Sequence, residues 1–492
     1  MSGPALSTLA AAPVFPTLGR LALPIMLSLV FGALANAVDM AFISQFSQSD
    51  RAIAALSVIF PLQMLVAAVG TALGGSLASV LTRALGAGKP ANGRKALWQA
   101  TVLTLWLGLA LTAGLCAALP ALLALLQTPA DVLAGALDYG YPVLLATVPA
   151  LLAQVWCEAF RAQARVRLMV IVVVSSCLLN VLFNILFIIG LDWGVLGAGV
   201  ATALSQLLAA LLAWWLIQGE RNRLHRWCSG AKEATDGGLR WLRRRAAPGI
   251  KRELLLLGLP LFLNQLGIGL MVAAVNSQLA VTGALSGADV LLATAAFGLF
   301  IKMMVIVVMP LQGLAAAFQT LAAYHAGAAD QRRLRLTVYA ALGWTLAYAS
   351  AVYALMYLQP TWLFAAFMAP TGVNSAAIEI TKAACLAFPL YALFFVSAGF
   401  FLSTGRAGLA LLIYLSHNYL FFLPFVFIFP AWWATSGIWW AFVATDVAAA
   451  GLGALCLLLA LWRPSPASAT KLQRNDNSPA ATDPANPCSD AA

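Results

Sequence analysis

Charge is scarce in this sequence: 9% of the residues are Asp, Glu, Lys or Arg, against roughly 25% in an ordinary soluble domain. With three histidines and scattered acids, no grouping forms of the kind a metal site or a polytopic glycosyl or acyl transferase needs. A Gly-rich Walker loop is missing too, which excludes ATP as the direct energy source. The seven cysteines, Cys116, Cys157, Cys177, Cys228, Cys385, Cys456 and Cys488, show no paired spacing for disulfides or a metal and read as small apolar fillers. The first seventeen residues lack a basic n-region and a cleavage pattern separate from the first apolar run, so that run is expected to insert and stay.

What the chain has instead is apolar length. Of its 492 residues 62% are hydrophobic, and runs such as Leu103 to Leu126 and Ala441 to Leu461 carry no charge except Asp446. Such runs exceed the roughly 20 residues a helix needs to cross the hydrocarbon region. Strands of a membrane barrel would alternate in short segments, whereas these runs are uniformly apolar. The expected fold is an all-α integral membrane protein with helices near 18–46, 52–84, 96–119, 133–160, 167–190 and 196–218, then 253–284, 289–323, 334–358, 376–403, 408–430 and 435–462. Residues 1–17 would form a tail, 219–252 a basic linker with an amphipathic segment around Leu239 to Arg245, and 463–492 a polar tail unable to pack.

The net charge of +11 is explained by position, and no nucleic-acid partner is needed to account for it. Arg83, Lys89, Arg94 and Lys95 follow the second apolar run, Arg161, Arg165 and Arg167 the fourth, and the richest stretch, Arg221 to Arg252, the sixth. Arg332, Arg333, Arg335, Arg406, Arg463, Lys471 and Arg474 continue the alternation, while the intervening loops hold Asp50, Arg51, Asp131, Asp192 and Asp289. The positive-inside rule then puts both termini in the cytoplasm of a cell whose inner membrane the chain crosses many times.

The two sets of six resemble each other. Leu21-Ala22-Leu23-Pro24 recurs as Leu257-Gly258-Leu259-Pro260, Gly86-Ala87-Gly88 as His325-Ala326-Gly327, and Asn180-Val181-Leu182-Phe183 as Asn418-Tyr419-Leu420-Phe421, at nearly constant offset. An even number of crossings per repeat gives both six-helix lobes the same orientation, related by a pseudo-two-fold along the membrane normal, with substrate in the cleft between them.

In order and spacing these segments resemble the MATE (multidrug and toxic compound extrusion) family. Leu21-Ala22-Leu23-Pro24 through Val38-Asp39 is similar to its opening "LALP…VD", and Arg83 to Gly88 to its "R-x-x-GAG" exit from the second helix. Leu179-Asn180 through Gly194 to Thr202 is similar to "LN…D…GVxGAAxAT". Met309 to Gly313 with Tyr324 to Gly327, then Leu420 to Pro424 and Ile438 to Phe442 with Asp446, match the second half. The family usually has an acid where Asn184 stands, and its NorM-like branch has acids where Ile268 and Leu393 stand. By resemblance the chain lies nearer the DinF-like branch, which works from the amino-terminal lobe. Asp39 is its remaining candidate carboxylate there.

The polar residues allow a functional and a structural reading side by side. Asp39 lies about 22 Å of helix beyond Pro24, where a carboxylate either faces a cavity or anchors neighbouring helices. Asn36 shares its face, and Asn180 and Asn184, one turn apart, could meet Thr202 from the next helix. Such oxygens suit sodium, and the carboxylate alone suits a proton. Lys302 and Asp446, at similar depth in the second lobe, are expected to form a buried ion pair or else to touch substrate. His417 stands where related sequences often have Arg, with no role read from sequence. Glu158 with Arg161, and Glu379 with Lys382, read as local salt bridges, and Trp214, Trp215, Trp432 and Trp433 as interfacial belts.

The function so implied is secondary active antiport by a monomeric unit in the lipid bilayer, exporting amphipathic or cationic small molecules in exchange for H+ or Na+. No cofactor is implied beyond that ion. A lipid-linked oligosaccharide flippase of the same superfamily is the alternative within transport, and a membrane transferase the alternative outside it.

Overall fold

Backbone amides in hydrocarbon have no water to bond, so a chain this apolar must close its hydrogen bonds within helices. A computed structural model describes residues 9–43, 49–125, 128–228, 248–286, 290–365 and 371–462, and these are helical, without strands. The first half comprises α1 (Val14–Ile43), α2 (Ser49–Gly86), α3 (Pro90–Leu125), α4 (Ala130–Leu145), α5 (Thr147–Ala162), α6 (Val166–Asn184) with a π-helical turn Ile185–Gly190, and α7 (Gly194–Cys228). The second comprises α8 (Pro248–Ser286), α9 (Val290–Gly327), α10 (Gln331–Leu358), the short α11 (Pro360–Ala365), α12 (Thr371–Ala384), α13 (Phe388–Ser403), and α14 (Ala407–Leu415). A π-helical turn, Ser416–Phe422, then leads into α15 (Leu423–Ile428) and α16 (Pro430–Trp462).

Among the described residues ten helices are long and apolar enough to cross a membrane alone, while α4 with α5 and α12 with α13 form pairs bent by 47° and 60°. Counting each bent pair once gives the expected twelve. The irregularities themselves repeat: the breaks fall in the fourth and tenth crossings and the π turns in the fifth and eleventh. Pro149 and Pro389 occupy the first turns of α5 and α13, where a missing amide costs no intrahelical bond.

The halves meet as a two-fold demands. Helix α1 packs on α9 and α8 on α2, the same contact with the halves exchanged, and α2 lies against α9 on the axis. A Cβ added to Gly86 would fall on the carbonyl of Tyr324, and one added to Gly327 on the carbonyl of Arg83. Arg83 precedes Gly86 as Tyr324 precedes Gly327, so the contact is reciprocal, as across an isologous interface. It also shifts the repeat register, pairing Gly86 with Gly327 where the sequence match paired Gly88.

Three apolar cores show where the halves part. One draws on both halves around Leu77, Phe160, Leu257, Phe318 and Phe401. The others belong to one half each, around Ile59, Leu119 and Tyr139 in the first and around Phe297, Phe388 and Trp439 in the second. The halves therefore share a core at the end where α2 and α9 terminate and keep separate cores toward the other end.

Two expected boundaries move. Helix α7 continues to Cys228 and α8 begins at Pro248, because a polar sequence leaving hydrocarbon has no need to stop being helical. The amphipathic segment at 239–245 and the tail 463–492 lie outside the described residues. The amino-terminal stretch docks: Leu9 is buried, Arg333 donates to the carbonyls of Ala11 and Ala12, and Phe15 stacks on Trp344, whose Nε1 donates to the Phe15 carbonyl.

Gly86→Val should force a side chain into backbone-packed space, at a cost on the order of 1–3 kcal/mol. Thermal stability of the detergent-solubilised protein should fall, while Gly114→Ala, with nothing within 4 Å of the added carbon, should leave it unchanged.

Candidate functional site: two intramembrane polar clusters and an inter-lobe lock

Each half carries a polar cluster where its fifth crossing meets its sixth. In the first half Gly197 lets α7 lie against the backbone of Phe187, and Gly199 against that of Tyr139. This close approach brings Thr202 to α6. Asn180 Nδ2 donates to Thr202 Oγ1 at 3.4 Å and Asn184 Nδ2 to Asn180 Oδ1 at 3.3 Å. The three candidates Asn180, Asn184 and Thr202 thus form one chain of amides and a hydroxyl, with both asparagines buried. Asp39 and Asn36 fall on helical backbone in α1, but their side chains lie outside the described residues. Beside the cluster Gln63 Nε2 donates to the hydroxyl of the buried Tyr139 at 3.2 Å. Sequence reading missed both. A lone Tyr and a lone Gln in apolar runs give no periodic signal.

In the second half the partner of Asp446 is His417, whose Nε2 lies 3.1 Å from Asp446 Oδ1. This corrects the expected Lys302–Asp446 pair. Depth along the helix was matched, but rotation about it was not: Phe300 and Met303 face the core, whereas Lys302 lies on the exposed side of α9. His417 Nδ1 lies 2.9 Å from Asn418 Oδ1, and Asn418 Nδ2 donates to Asn264 of α8 at its carbonyl (3.3 Å) and Oδ1 (3.0 Å). Gly267, one turn beyond Asn264, leaves room for Asn418, since a Cβ there would come within 3.0 Å of its side chain. His417 and Asn418 both sit on the π turn, a deformation frequent at functional sites.

The shared end of the bundle is held by polar contacts between the halves. Arg161, with its side chain 3% exposed, pairs with Glu158 on its own helix, but its Nη1 also donates to the Ala316 carbonyl (2.6 Å) and Thr320 Oγ1 (2.8 Å) of α9, and its Nη2 to Gln319 Oε1 (3.2 Å). Gln319 Nε2 returns a bond to the Gly75 carbonyl. Arg83 Nη2 pairs with Glu253 Oε1 at 2.7 Å, and Ser79 donates to the Leu402 carbonyl. The local Glu158–Arg161 bridge read from sequence is therefore half of a lock across the halves, invisible to an i, i+3 pattern. The Glu379–Lys382 bridge is replaced by a contact of Lys382 Nζ over the ring of Tyr357, 5.9 Å from its centre. Trp214, Trp215, Trp432 and Trp433 are all exposed as a belt requires, and Trp214 also leans on Trp156. Among the described residues no group of three or more His, Cys, Asp or Glu could hold a metal ion.

No curated protein sequence matches the chain. Solved structures do. One is an outward-facing multidrug resistance MATE transporter of the MOP superfamily, with 21% identity, TM-score 0.83, and coverage of 94% of this chain and 100% of that one. A MATE protein in its bent conformation matches at 20% identity and TM-score 0.84, over 96% and 100%. A MOP superfamily transporter from Pyrococcus furiosus matches at 21% and 0.81, over 94% and 98%. At these identities the likeness is one of fold. The MatE family model matches residues 24–186 and 268–428, once in each half and across both polar clusters' fifth and eleventh crossings, and on that match the chain belongs to the MATE family of membrane transporters.

Proposed function

We propose that the protein is a secondary active antiporter that exports amphipathic, often cationic, organic molecules in exchange for H+ or Na+. The observation that carries this reading is the separation of the cores. The halves share a core and a polar lock at one end and have separate cores toward the other. That is one of two opposite-facing states, and exchange requires the lock to open while the far end closes. With the basic loops in the cytoplasm, the locked end is cytoplasmic and the state outward-facing. The apolar cleft admits many amphipathic solutes. A flippase for a lipid-linked oligosaccharide would need several deep cations for its phosphates, whereas with Arg161 committed to the lock the deep cations reduce mainly to Lys302.

The first-half cluster is the proposed ion site, in the manner of the DinF-like branch, with Asp39 as charge carrier and Asn180, Asn184 and Thr202 as supporting oxygens. Asp39→Asn keeps size and hydrogen-bonding capacity but removes the titratable proton and the formal charge. In proteoliposomes with proton and sodium gradients imposed separately, it should reduce gradient-driven ethidium efflux to near background at normal protein level. Efflux at the wild-type rate would move the ion site elsewhere.

Arg161→Gln should weaken the lock and shift the population toward the inward-facing state. Cysteines placed on the cleft face of α9 should then label faster from the cytoplasmic side than in the unaltered protein, and the linker 229–247 should label from that side only.

A further inference from the structure

The hydrogen-bond geometry around His417 fixes a proton count. Asn418 Nδ2 reaches a backbone carbonyl, that of Asn264, which only accepts, so the amide is oriented with Oδ1 toward His417 Nδ1. Nδ1 must therefore carry a hydrogen. The other ring nitrogen faces Asp446 Oδ1, also an acceptor when ionised. Two arrangements satisfy both contacts: an imidazolium beside a carboxylate, or a neutral imidazole accepting from a protonated Asp446. Both hold the same single extra proton and the same zero net charge. Its loss would set a nitrogen lone pair against a carboxylate and leave one uncompensated negative charge among Tyr391, Phe394 and Tyr414, an expensive state inside a membrane.

We infer that His417, Asp446 and Asn418 form a second ion site, in the carboxy-terminal lobe, which binds one proton and releases it during the transport cycle. This rests on the antiport reading above. The charge argument gives the exchange its logic: the proton can leave when a cationic solute, or a rearrangement that admits water, takes over the balancing of Asp446. The site is also placed to sense lobe movement. Its third contact, Asn264, lies on α8, the helix that packs on α2 of the other half, so moving α8 disturbs the amide that holds Nδ1.

The titratable groups around the pair are few. Tyr391 comes from α13, half-buried, with its ring 5.1 Å from that of His417, while Tyr414 from α14 and Cys385 from the break before α13 are buried. Tyr419 directs its hydroxyl to the Leu263 carbonyl. Glu379 and Lys382 on α12 are exposed, and Lys251, Arg252 and Glu253 stand at the other end of α8, beside the lock. No described cation on these elements other than His417 is paired with Asp446.

The test is nuclear magnetic resonance of protein labelled with 15N and 13C at histidine, in lipid nanodiscs, across a pH series. There are three histidines, so His417 is assigned by its loss in His417→Gln or by elimination with His225→Gln and His325→Gln. Nδ1 should stay protonated throughout, and one proton should leave the His417–Asp446 pair for solvent, read as a change in the Nε2 resonance whichever of the two groups holds it. Asp446→Asn should abolish that step or shift it by about one pH unit or more, while Glu379→Gln should not. A His417 Nδ1 without a proton, or a titration unchanged in Asp446→Asn, would overturn the site, and the first can be read from the wild type even if a variant fails to fold. Ethidium efflux from proteoliposomes supplies the second arm: Asp446→Asn should retain gradient-free exchange but lose drive from a proton gradient at least several-fold. Wild-type drive in that variant would overturn the coupling role, whereas an unaltered protein that moves no ethidium under any gradient would count against the antiport reading alone, the resonance data then deciding the site.

Discussion

Two helices can cross with their backbones in contact only where neither presents a side chain, and the contact of Gly86 with Tyr324 and Gly327 with Arg83 meets that condition twice over. Between apolar helices in lipid there is no hydrophobic force to favour association, so close packing of small residues and polar bonds must supply it. Here they occur together. Close approach at the glycines brings Arg83 within reach of Glu253 and the α13 carbonyls, and Arg161 within reach of three groups on α9. Every other property of the cleft depends on this one junction, because it sets which end is shut.

The repeat extends the same economy to the polar clusters. Gly197 against Phe187 in one half and Gly437 against Phe429 in the other let the sixth and twelfth crossings approach the fifth and eleventh. The first contact lies on its π turn, Ile185–Gly190, and the second lies past α15, the helix that follows the π turn Ser416–Phe422. Divergence has then given the halves different chemistry on one scaffold. The first offers neutral amides and a hydroxyl, the second a histidine and a carboxylate. A neutral cluster gains its charge from whatever ion or side chain joins it, while a His–Asp pair carries its own proton.

Much of this was legible in the sequence. Length of apolar run gives the number of crossings, and Pro24 with Pro260 or Asn180 with Asn418 exposes the repeat. Helical spacing puts Asn180 and Asn184 on one face, and the packing of α7 on α6 adds Thr202 to them. What escaped was rotation about the helix axis. Lys302 and Asp446 are at matching depth, but only the packed structure shows that Lys302 lies on the exposed side of α9 and that the π turn brings His417 to Asp446. Contacts between halves escaped for a related reason: Arg161 has a local acid at i−3, which satisfies a one-dimensional reading, and its bonds to Ala316, Gln319 and Thr320 span a separation that no local pattern encodes.

The central claim is that transport requires the junction at Arg83 and Glu253 to open. The direct measurement is a covalent bridge in its place: Arg83→Cys with Glu253→Cys in a background without the native cysteines, joined by a short reducible bis-thiosulfonate. Bridged protein in proteoliposomes should show background ethidium efflux, with activity restored on reduction, while each single variant treated alike remains active. Efflux by the bridged protein at the rate of its reduced form would contradict the account, since the halves would then exchange substrate without parting at the end that joins them.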